Sequence, residues 1–303
     1  MNILNKIIVS VLPAVPKPIV RIFANRYIAG DRLSDAVVVV KELNSQGIMA
    51  TLDVLGESIT TKEEAISARD AILELFPVIH NEKLDSNVSI KLTQLGLALD
   101  RNFCLANVRM ILSKSTEFNN FVRIDMEDSA VTDDTLWVYR EIRKEYQNSG
   151  IVLQAYLHRT ERDAEQLIGE ELGHFRLCKG IYIEPASIAF KEHDEINRNF
   201  VKVMKKMMKA KTYVGIATHD DFLIEAAYNI IDELKLGKKE YEFQMLLGVR
   251  DELRSKIVRN GHRMRVYVPF GEHWYRYSIR RFKENPQIAG YVLKALFSRN
   301  SKK

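Results

Sequence analysis

From about residue 46 onward the chain alternates between two kinds of pattern. Short runs rich in β-branched and aromatic residues are "GIMATLDVLG", "NVSIKLTQLG", "FVRIDME", "IVLQAYL", "HFRLCKGIY", "TYVGIATH", "YEFQMLLG" and "RMRVYVPFG". Between them lie stretches of helical periodicity, among them "TKEEAISARDAILELF", "TLWVYREIRKEYQNSG", "ERDAEQLIGEEL" and "DFLIEAAYNIIDELKLG". Strands that alternate with helices predict an α/β fold on a parallel sheet, and eight of them favour closure into a (βα)8 barrel of the TIM type. A doubly wound open sheet is the competing arrangement. The expected division is an N-terminal arm with helices over 1–45 and the barrel over 46–303, with a C-terminal helix over the barrel mouth.

The strands carry a second pattern. Parallel strands covered on both faces normally read as continuous apolar runs, yet these alternate. Ser89 and Lys91 oppose Ile90 and Leu92, and Arg123, Asp125 and Glu127 oppose Val122, Ile124 and Met126. Gln154 and Tyr156 oppose Leu153 and Ala155, and Arg265 and Tyr267 oppose Val266 and Val268. If the apolar face meets the helices, the polar face fills the barrel, where charges must be paired because an unpaired buried charge is very costly. A half-solvated antiparallel sheet would alternate in the same way, but the helical spacers argue against it. Asp53, Lys91, Asp125, Gln154, Arg176, His219, Gln244 and Tyr267 fall late in their strands. Barrel enzymes keep their active sites at that end, so one pocket lined by charges of both signs and by tyrosines is expected.

Composition narrows the classes. The length of 303 residues suits one barrel as well as two average domains. Lysine and arginine total 45 against 40 acidic residues, a net charge of +5 spread along the chain. No basic cluster is interleaved with aromatics, so nucleic acid is not expected as a partner. Cys104 and Cys178 are far apart and lack CxxC spacing, which suits a reducing compartment and neither a disulfide framework nor a zinc ribbon. No apolar run approaches the roughly 18 residues that span a membrane. The opening "MNILNKIIVSVLPAVPKPIV" is mildly amphipathic, carries three prolines and has no clear cleavage site. The expected location is cytoplasmic, with this arm able to touch the inner face of a membrane.

Several chemistries have no signature here: GxGxxG, GxxxxGK[ST], HExxH and a GxSxG elbow are all missing. No histidines pair at metal-ligand spacing, so no metal site is expected, and a lone His219 reads more readily as a hydrogen-bonded structural group. What remains is Lys91, Arg176, Lys179, Arg280 and Arg281, opposed by Asp125, Glu127, Glu242 and Glu284. A lysine late in a barrel strand could form a Schiff base, which leaves Lys91 and Lys179 open to that role. A non-enzymatic barrel that binds a ligand is also open. The stretch "VYVPFGEHWYRYSIRRFKENP" places Arg280 and Arg281 side by side, pointing about 100° apart on a helix. Guanidinium groups hold carboxylates bidentately and stack on aromatic rings. Beside Tyr267, Tyr275 and Tyr277 they suit a small carboxylate with an apolar body. The plain alternative is a solvated basic helix face, with Glu284 four residues after Arg280.

Taken together, "SIKLTQLGL", "VRIDMEDS", "IVLQAYLHRT", "RLCKGIY", "IATHD", "YEFQMLLGVR" and "YVPFGEHWYRYSIRRFKENP" make the chain resemble monofunctional bacterial proline dehydrogenase from about residue 35 to 297. The resemblance implies a distorted (βα)8 barrel that holds FAD noncovalently at its C-terminal face. It implies an oxidoreductase that converts L-proline to Δ1-pyrroline-5-carboxylate, the first step of proline catabolism, and passes the electrons to a membrane quinone. Pyrroline-5-carboxylate dehydrogenase is an implied partner. Residue by residue, Lys91, Arg280 and Arg281 would grip the proline carboxylate, and Tyr267 would pack on its ring. Asp125 would orient neighbouring groups, with Met126 near the flavin, and Arg176 would lie near flavin N5. Gln154, Arg176, Lys179, Gly180, Ile181, Thr218 and His219 would contact FAD, and Glu284 falls in the RRxxE pattern. Relatives often read VKGAYW where this chain has "CKGIYI", so Cys178, Ile181 and Ile183 depart from the pattern and small changes in flavin packing are expected. Position 275 is aromatic only in some relatives.

Overall fold

In the computed structural model, residues 20–21, 24–56, 59–275 and 278–279 are described. Tyr277, Arg280, Arg281, Glu284 and nearly all of the first twenty residues lie outside them. Helix α1 (Leu33–Ser45) leads into β1 (Met49–Val54), α2 (Lys62–Leu73), α3 (Leu75–Asn81) and β2 (Ser86–Ile90). Then follow α4 (Arg101–Glu117), β3 (Val122–Ile124), α5 (Thr132–Arg143), β4 (Ser149–Gln154), α6 (Thr160–Gly169) and β5 (His174–Cys178). The series ends with α7 (His193–Lys209), β6 (Tyr213–Ala217), α8 (Asp221–Leu234), β7 (Tyr241–Leu246), α9 (Asp251–Arg259) and β8 (Met264–Phe270). The eight strands pair in parallel in chain order, and β8 closes on β1, so the sheet is a barrel and not an open, doubly wound one.

The helices form where apolar residues recur every three or four positions. Phe200, Val203, Met204, Met207 and Met208 make the buried stripe of α7, while Lys202 and Lys205 on its outer side pair with Glu161 and Glu233, each at 2.6 Å. Ala36, Val40 and Leu43 of α1 turn inward, and the helix packs on β1 and β8. Starts are set by caps. Thr61 and Glu64 form a reciprocal capping box at α2, and Asp100 accepts from the backbone of Asn102 and Phe103 at α4.

Two predicted helices differ from the structure. The periodic run 61–76 is broken at Glu74, because Pro77 has no N–H for the Leu73 carbonyl and sits in the first turn of a new helix instead. The run 135–150 stops at Arg143, and β4 begins at Ser149, two residues before its apolar stretch. The Arg143 guanidinium turns back to donate to the carbonyls of Gln147 and Ser149, both at 2.9 Å, and so closes the turn.

The inward faces of the strands are polar, as the alternation predicts, and they are paired. Near the N-terminal end of the barrel Arg265 Nε meets Glu242 Oε1 at 2.7 Å, and Arg123 donates to the His174 carbonyl at 2.7 Å. Arg123, Glu242 and Arg265 are all buried. Above them Gln244 joins Glu242, and higher still Arg176 pairs with Asp125 at 2.8 Å and Lys91 with Asp53 at 2.7 Å.

Burial alone would raise the Glu242 carboxyl, but Arg265 and neighbouring donors hold it down to about 2 from the usual 4.5. A depressed folded-state value stabilises the fold above the unfolded value, and that contribution is lost as the pH falls from 4.5 toward 2. Glu242→Ala leaves Arg265 buried and unpaired and is expected to cost about 3–5 kcal/mol at neutral pH, with the deficit shrinking in acid. Urea unfolding of both proteins at neutral and acid pH checks this; a deficit that does not change with pH would show that the ion pair is not its source.

Candidate active site

The described C-terminal mouth of the barrel opens into a cavity of about 510 Å³. Lys91, Asp125, Met126, Gln154, Arg176, Lys179, Gly180, Ile181, Thr218, His219 and Tyr267 all line it, so one space gathers the described residues that the resemblance assigns to substrate and flavin, whereas Asp53, Glu127, Glu242 and Tyr275 do not line it. They come from the ends of β2 to β6 and from β8, the places where barrel topology converges. Val152, Met245, Leu246 and Ala217 add apolar wall. Cys178 and Ile181 border the cavity, but Ile183 is fully exposed and does not.

The floor is a closed ring of polar contacts. Lys91 Nζ donates to Asp53 Oδ1 at 2.7 Å and to the Tyr267 hydroxyl at 3.1 Å, and lies 3.6 Å from Asp125 Oδ2. The Tyr267 hydroxyl donates to Asp125 Oδ2 at 2.7 Å. Asp125 Oδ1 accepts from Arg176 Nη1 at 2.8 Å and from Ser89 Oγ at 2.6 Å. Burial alone would raise the Asp125 carboxyl; Lys91 and Arg176 hold it below the usual range, so it is a carboxylate. Burial, reinforced by the charge of Asp125, pushes the Tyr267 phenol well up, so it keeps its proton.

Lys91 decides between two chemistries. Burial would lower its amine, but Asp53, Tyr267 and Asp125 overcome that and raise it well above the usual value. A Schiff-base lysine must be neutral to attack a carbonyl. Lys91 is therefore built as a fixed cation and not as a nucleophile. Lys179 is likewise engaged, with Asp220 Oδ2 at 2.5 Å and His193 Nε2 at 3.0 Å. Asp220 also caps α8 through its other oxygen. Burial pushes the Cys178 thiol up to about 11, so it stays a thiol at the wall.

On the far wall Gln154 donates Nε2 to the Glu127 carbonyl at 2.6 Å, while the Glu127 carboxylate accepts from Thr93. His219 Nε2 accepts from the Leu246 backbone at 3.0 Å, which puts its ring proton on Nδ1 and ties the end of β6 to β7. His219 thus has the structural bond expected of a lone histidine while also lining the cavity. Gly180 has φ +106°, and a Cβ there would strike the Tyr156 ring, so this turn is specified as glycine.

Pattern reading missed some partnerships. The late position of Asp53 in β1 is legible in the sequence, but its pairing with Lys91 is not; nor is the Ser89 link between Asp125 and Arg176, at 2.6 and 3.2 Å. The inward phase of each strand was the available signal, since residues that share a phase face the same interior. Asp220 could be found as the N-cap that precedes an apolar-periodic run.

The family model for proline dehydrogenase matches residues 36–293 of this chain. The chain belongs to the proline dehydrogenase family. It is 37% identical to proline dehydrogenase 1 of Bacillus subtilis subsp. natto, over 92% of both chains. It is 34% identical to proline dehydrogenase of Deinococcus radiodurans, over 90% of this chain and 89% of that one. Among solved structures, proline utilization A (PutA) from Bdellovibrio bacteriovorus inactivated by N-propargylglycine superposes with a TM-score of 0.81 at 27% identity. PutA from Corynebacterium freiburgense, at 21% identity and a TM-score of 0.77, shares the fold. This chain spans about a third of those two PutA chains, 32% and 35%. The barrel mouth carries a lysine cation against a tyrosine, a carboxylate and an arginine.

Lys91→Met would strand Asp53, whose Oδ2 is already buried without a partner. Burial already raises this carboxyl in spite of Lys91, and without that cation it would rise further above the value of the unfolded chain. Such a group destabilises increasingly as pH rises. The variant is expected to lose about 3 kcal/mol or more near neutrality and to recover part of that at about pH 5. Thermal unfolding at both pH values checks it. A deficit equal at both would mean that Lys91 is not the counter-ion of Asp53.

Proposed function

We propose that this chain oxidises L-proline to Δ1-pyrroline-5-carboxylate, with FAD held noncovalently at the C-terminal mouth, and that the electrons pass to a membrane quinone. The observation that carries the reading is the juxtaposition, in one cavity, of the Lys91 cation, the Tyr267 ring and the Arg176 guanidinium beneath apolar walls. The donor set fits a flavin. Its flat ring system needs apolar faces, which Met126, Val152, Met245 and Leu246 offer, and cationic or N–H donors at its polar edge, which Arg176 and Lys179 offer. When bound, FAD supplies the acceptor for the two electrons and one hydrogen that leave carbon 5 of the proline ring.

The residues of the chain do the rest. Lys91 takes the substrate carboxylate, joined by Arg280 and Arg281, which enter through their place in the RRxxE pattern, as does Glu284. The Tyr267 face packs on the ring. These cations disfavour a protonated amine near them, so the substrate nitrogen gives its proton to solvent and keeps its lone pair for the developing C=N bond. Asp125 orients Lys91, Tyr267 and Arg176, and Arg176 stabilises negative charge at the acceptor side of the cavity. Gln154, Gly180, Ile181, Thr218 and His219 complete the FAD contacts. No strong base and no metal are required, and no group of His, Cys, Asp and Glu among the described residues is arranged to hold a metal ion.

The product is a cyclic imine in balance with an open aldehyde, so a pyrroline-5-carboxylate dehydrogenase is the natural consumer. No described helix is long and apolar enough to cross a membrane. Quinone reduction by a cytoplasmic chain would then use peripheral contact, with the arm over 1–45 as the proposed means.

Purified protein is expected to be yellow, to release FAD and not FMN on heating, and to bleach with anaerobic proline. N-Propargylglycine, which inactivated the Bdellovibrio PutA, carries a secondary amine and a carboxylate as proline does. It should inactivate this chain too, and proline should protect. Arg280→Met and Arg281→Met should each lower kcat/KM about ten- to a few hundred-fold, mainly through KM, as expected for charge-assisted hydrogen bonds. A colourless protein after FAD reconstitution, or a yellow one indifferent to proline, would refute this function.

A further inference from the structure

Arg176 is held by a residue that the proposed reaction leaves without a role. Its Nε donates to Gln244 Oε1 at 2.5 Å, and its Nη1 donates to Asp125 and Ser89. Among the described residues Nη2 donates to no acceptor, and Arg176 lines the cavity. Gln244 passes the constraint downward: its Nε2 donates to Glu242 Oε1 at 2.5 Å, and that oxygen also receives Arg265 Nε at 2.7 Å. The Gln244 amide can face only one way. Arginine has donors alone, so the amide oxygen must meet Arg176; an ionised carboxylate has acceptors alone, so the amide nitrogen must meet Glu242. Arg265 keeps Glu242 ionised, since burial alone would raise a carboxyl that is instead held down to about 2. The neighbouring strand leaves space for this side chain and no more. A Cβ built on Gly215 of β6 would overlap Gln244 Nε2 and lie 3.0 Å from its Cδ. Gly215 has no left-handed backbone to explain it, and a side chain there would displace the Gln244 amide.

We propose that Gln244 is a positioning residue. Locked by Glu242 and by the gap at Gly215, it sets the rotation of the Arg176 guanidinium so that the Nη2 edge faces the cavity. Its bearing on catalysis rests on the reading of Arg176 given under Proposed function; the arrangement of the side chains does not.

Gln244→Met keeps the side-chain length and removes both hydrogen bonds. In flavin-loaded protein it is expected to leave FAD content unchanged, to shift the visible flavin absorption and to slow anaerobic reduction by proline about ten- to a hundredfold. In an Arg176→Met background the same change should alter either readout less than about twofold, because the residue being positioned is gone. Equal effects in the two backgrounds, or a wild-type rate and spectrum in Gln244→Met, would overturn the proposal.

Gln244→Glu serves where the methionine variant does not fold. A protonated carboxyl reproduces the amide, with its carbonyl toward Arg176 and its O–H toward Glu242. An ionised one opposes Glu242, with Arg176, Arg265 and Asp125 the other charged groups around it. Its reduction rate, taken as a ratio to wild type at the same pH so that titration of the substrate amine cancels, should approach one at the acid end of about pH 5–9 and decline as pH rises. A rate that stays one to two decades low throughout would overturn the proposal.

If wild type takes up no FAD, the proposed function fails, and the positioning is read without flavin. The Arg176 Nε–H should then exchange slowly with solvent in wild type and much faster in Gln244→Met. Fast exchange in both would overturn the proposal by itself.

Discussion

A barrel interior holds little water to screen charge, so each ion placed there has to be met by another ion or by a hydrogen bond. That constraint organises this molecule. Lys91, Arg123, Arg176 and Arg265 all point into a space that an ordinary barrel of this type fills with branched aliphatic side chains. Asp53, Asp125 and Glu242 answer three of them. Arg123 has no carboxylate within salt-bridge distance among the described residues and is met by the His174 and Ile151 carbonyls and the His174 ring. Burial and the nearby Arg176 accordingly lower its guanidinium to about 9. His174 is kept neutral by burial and by that same arginine, which suits it to accept from Arg123 Nη2 at 2.9 Å.

The pairing has a direction. At the N-terminal end the contacts are inward and local: Arg265 spends its donors on Glu242, the Ala50 carbonyl and the Met49 sulfur, while Arg123 Nε and Glu242 Oε2 are buried without a hydrogen-bond partner. Toward the C-terminal end, contacts are shared among more partners and the side chains border open space. Lys91, Asp125, Arg176 and Tyr267 form one hydrogen-bonded unit in which the cations are oriented but not exhausted. A ligand with a carboxylate thus meets positive groups whose own counter-ions already hold them in place. Little rotational freedom has to be lost on binding, which is what preorganisation means in energetic terms.

Much of this was legible because a strand has a period of two. The same alternation that turned Ile90, Ile124 and Val266 toward the helices turned Lys91, Asp125 and Tyr267 inward, and eight such strands leave one place to converge. What the pattern could not carry was pairing across the barrel. Lys91 and Tyr267 are 176 residues apart and Arg176 and Gln244 are 68 apart, so nothing in local spacing marks them as neighbours. The breaks at Glu74 and Arg143 were missed for a different reason. Periodicity ran through both, and a proline in one case and a side chain folding back on the chain in the other overrode it.

The division between lysine and arginine in this interior follows from geometry. Arg176 bridges Gln244 on β7, Asp125 just after β3 and Ser89 on β2 with donors fixed in one plane, a span that an ammonium could not copy. Lys91 instead stands between Asp53, Tyr267 and Asp125, all on one side of the barrel, and spends two of its three rotatable donors on Asp53 and the Tyr267 hydroxyl. Exchanging the two residue types would keep the net charge and lose both arrangements. The partners that meet each cation, carboxylates for three and carbonyls for Arg123, therefore explain why the barrel can fold with ions inside, while the shape of each cation explains why the cavity above them has the form it does.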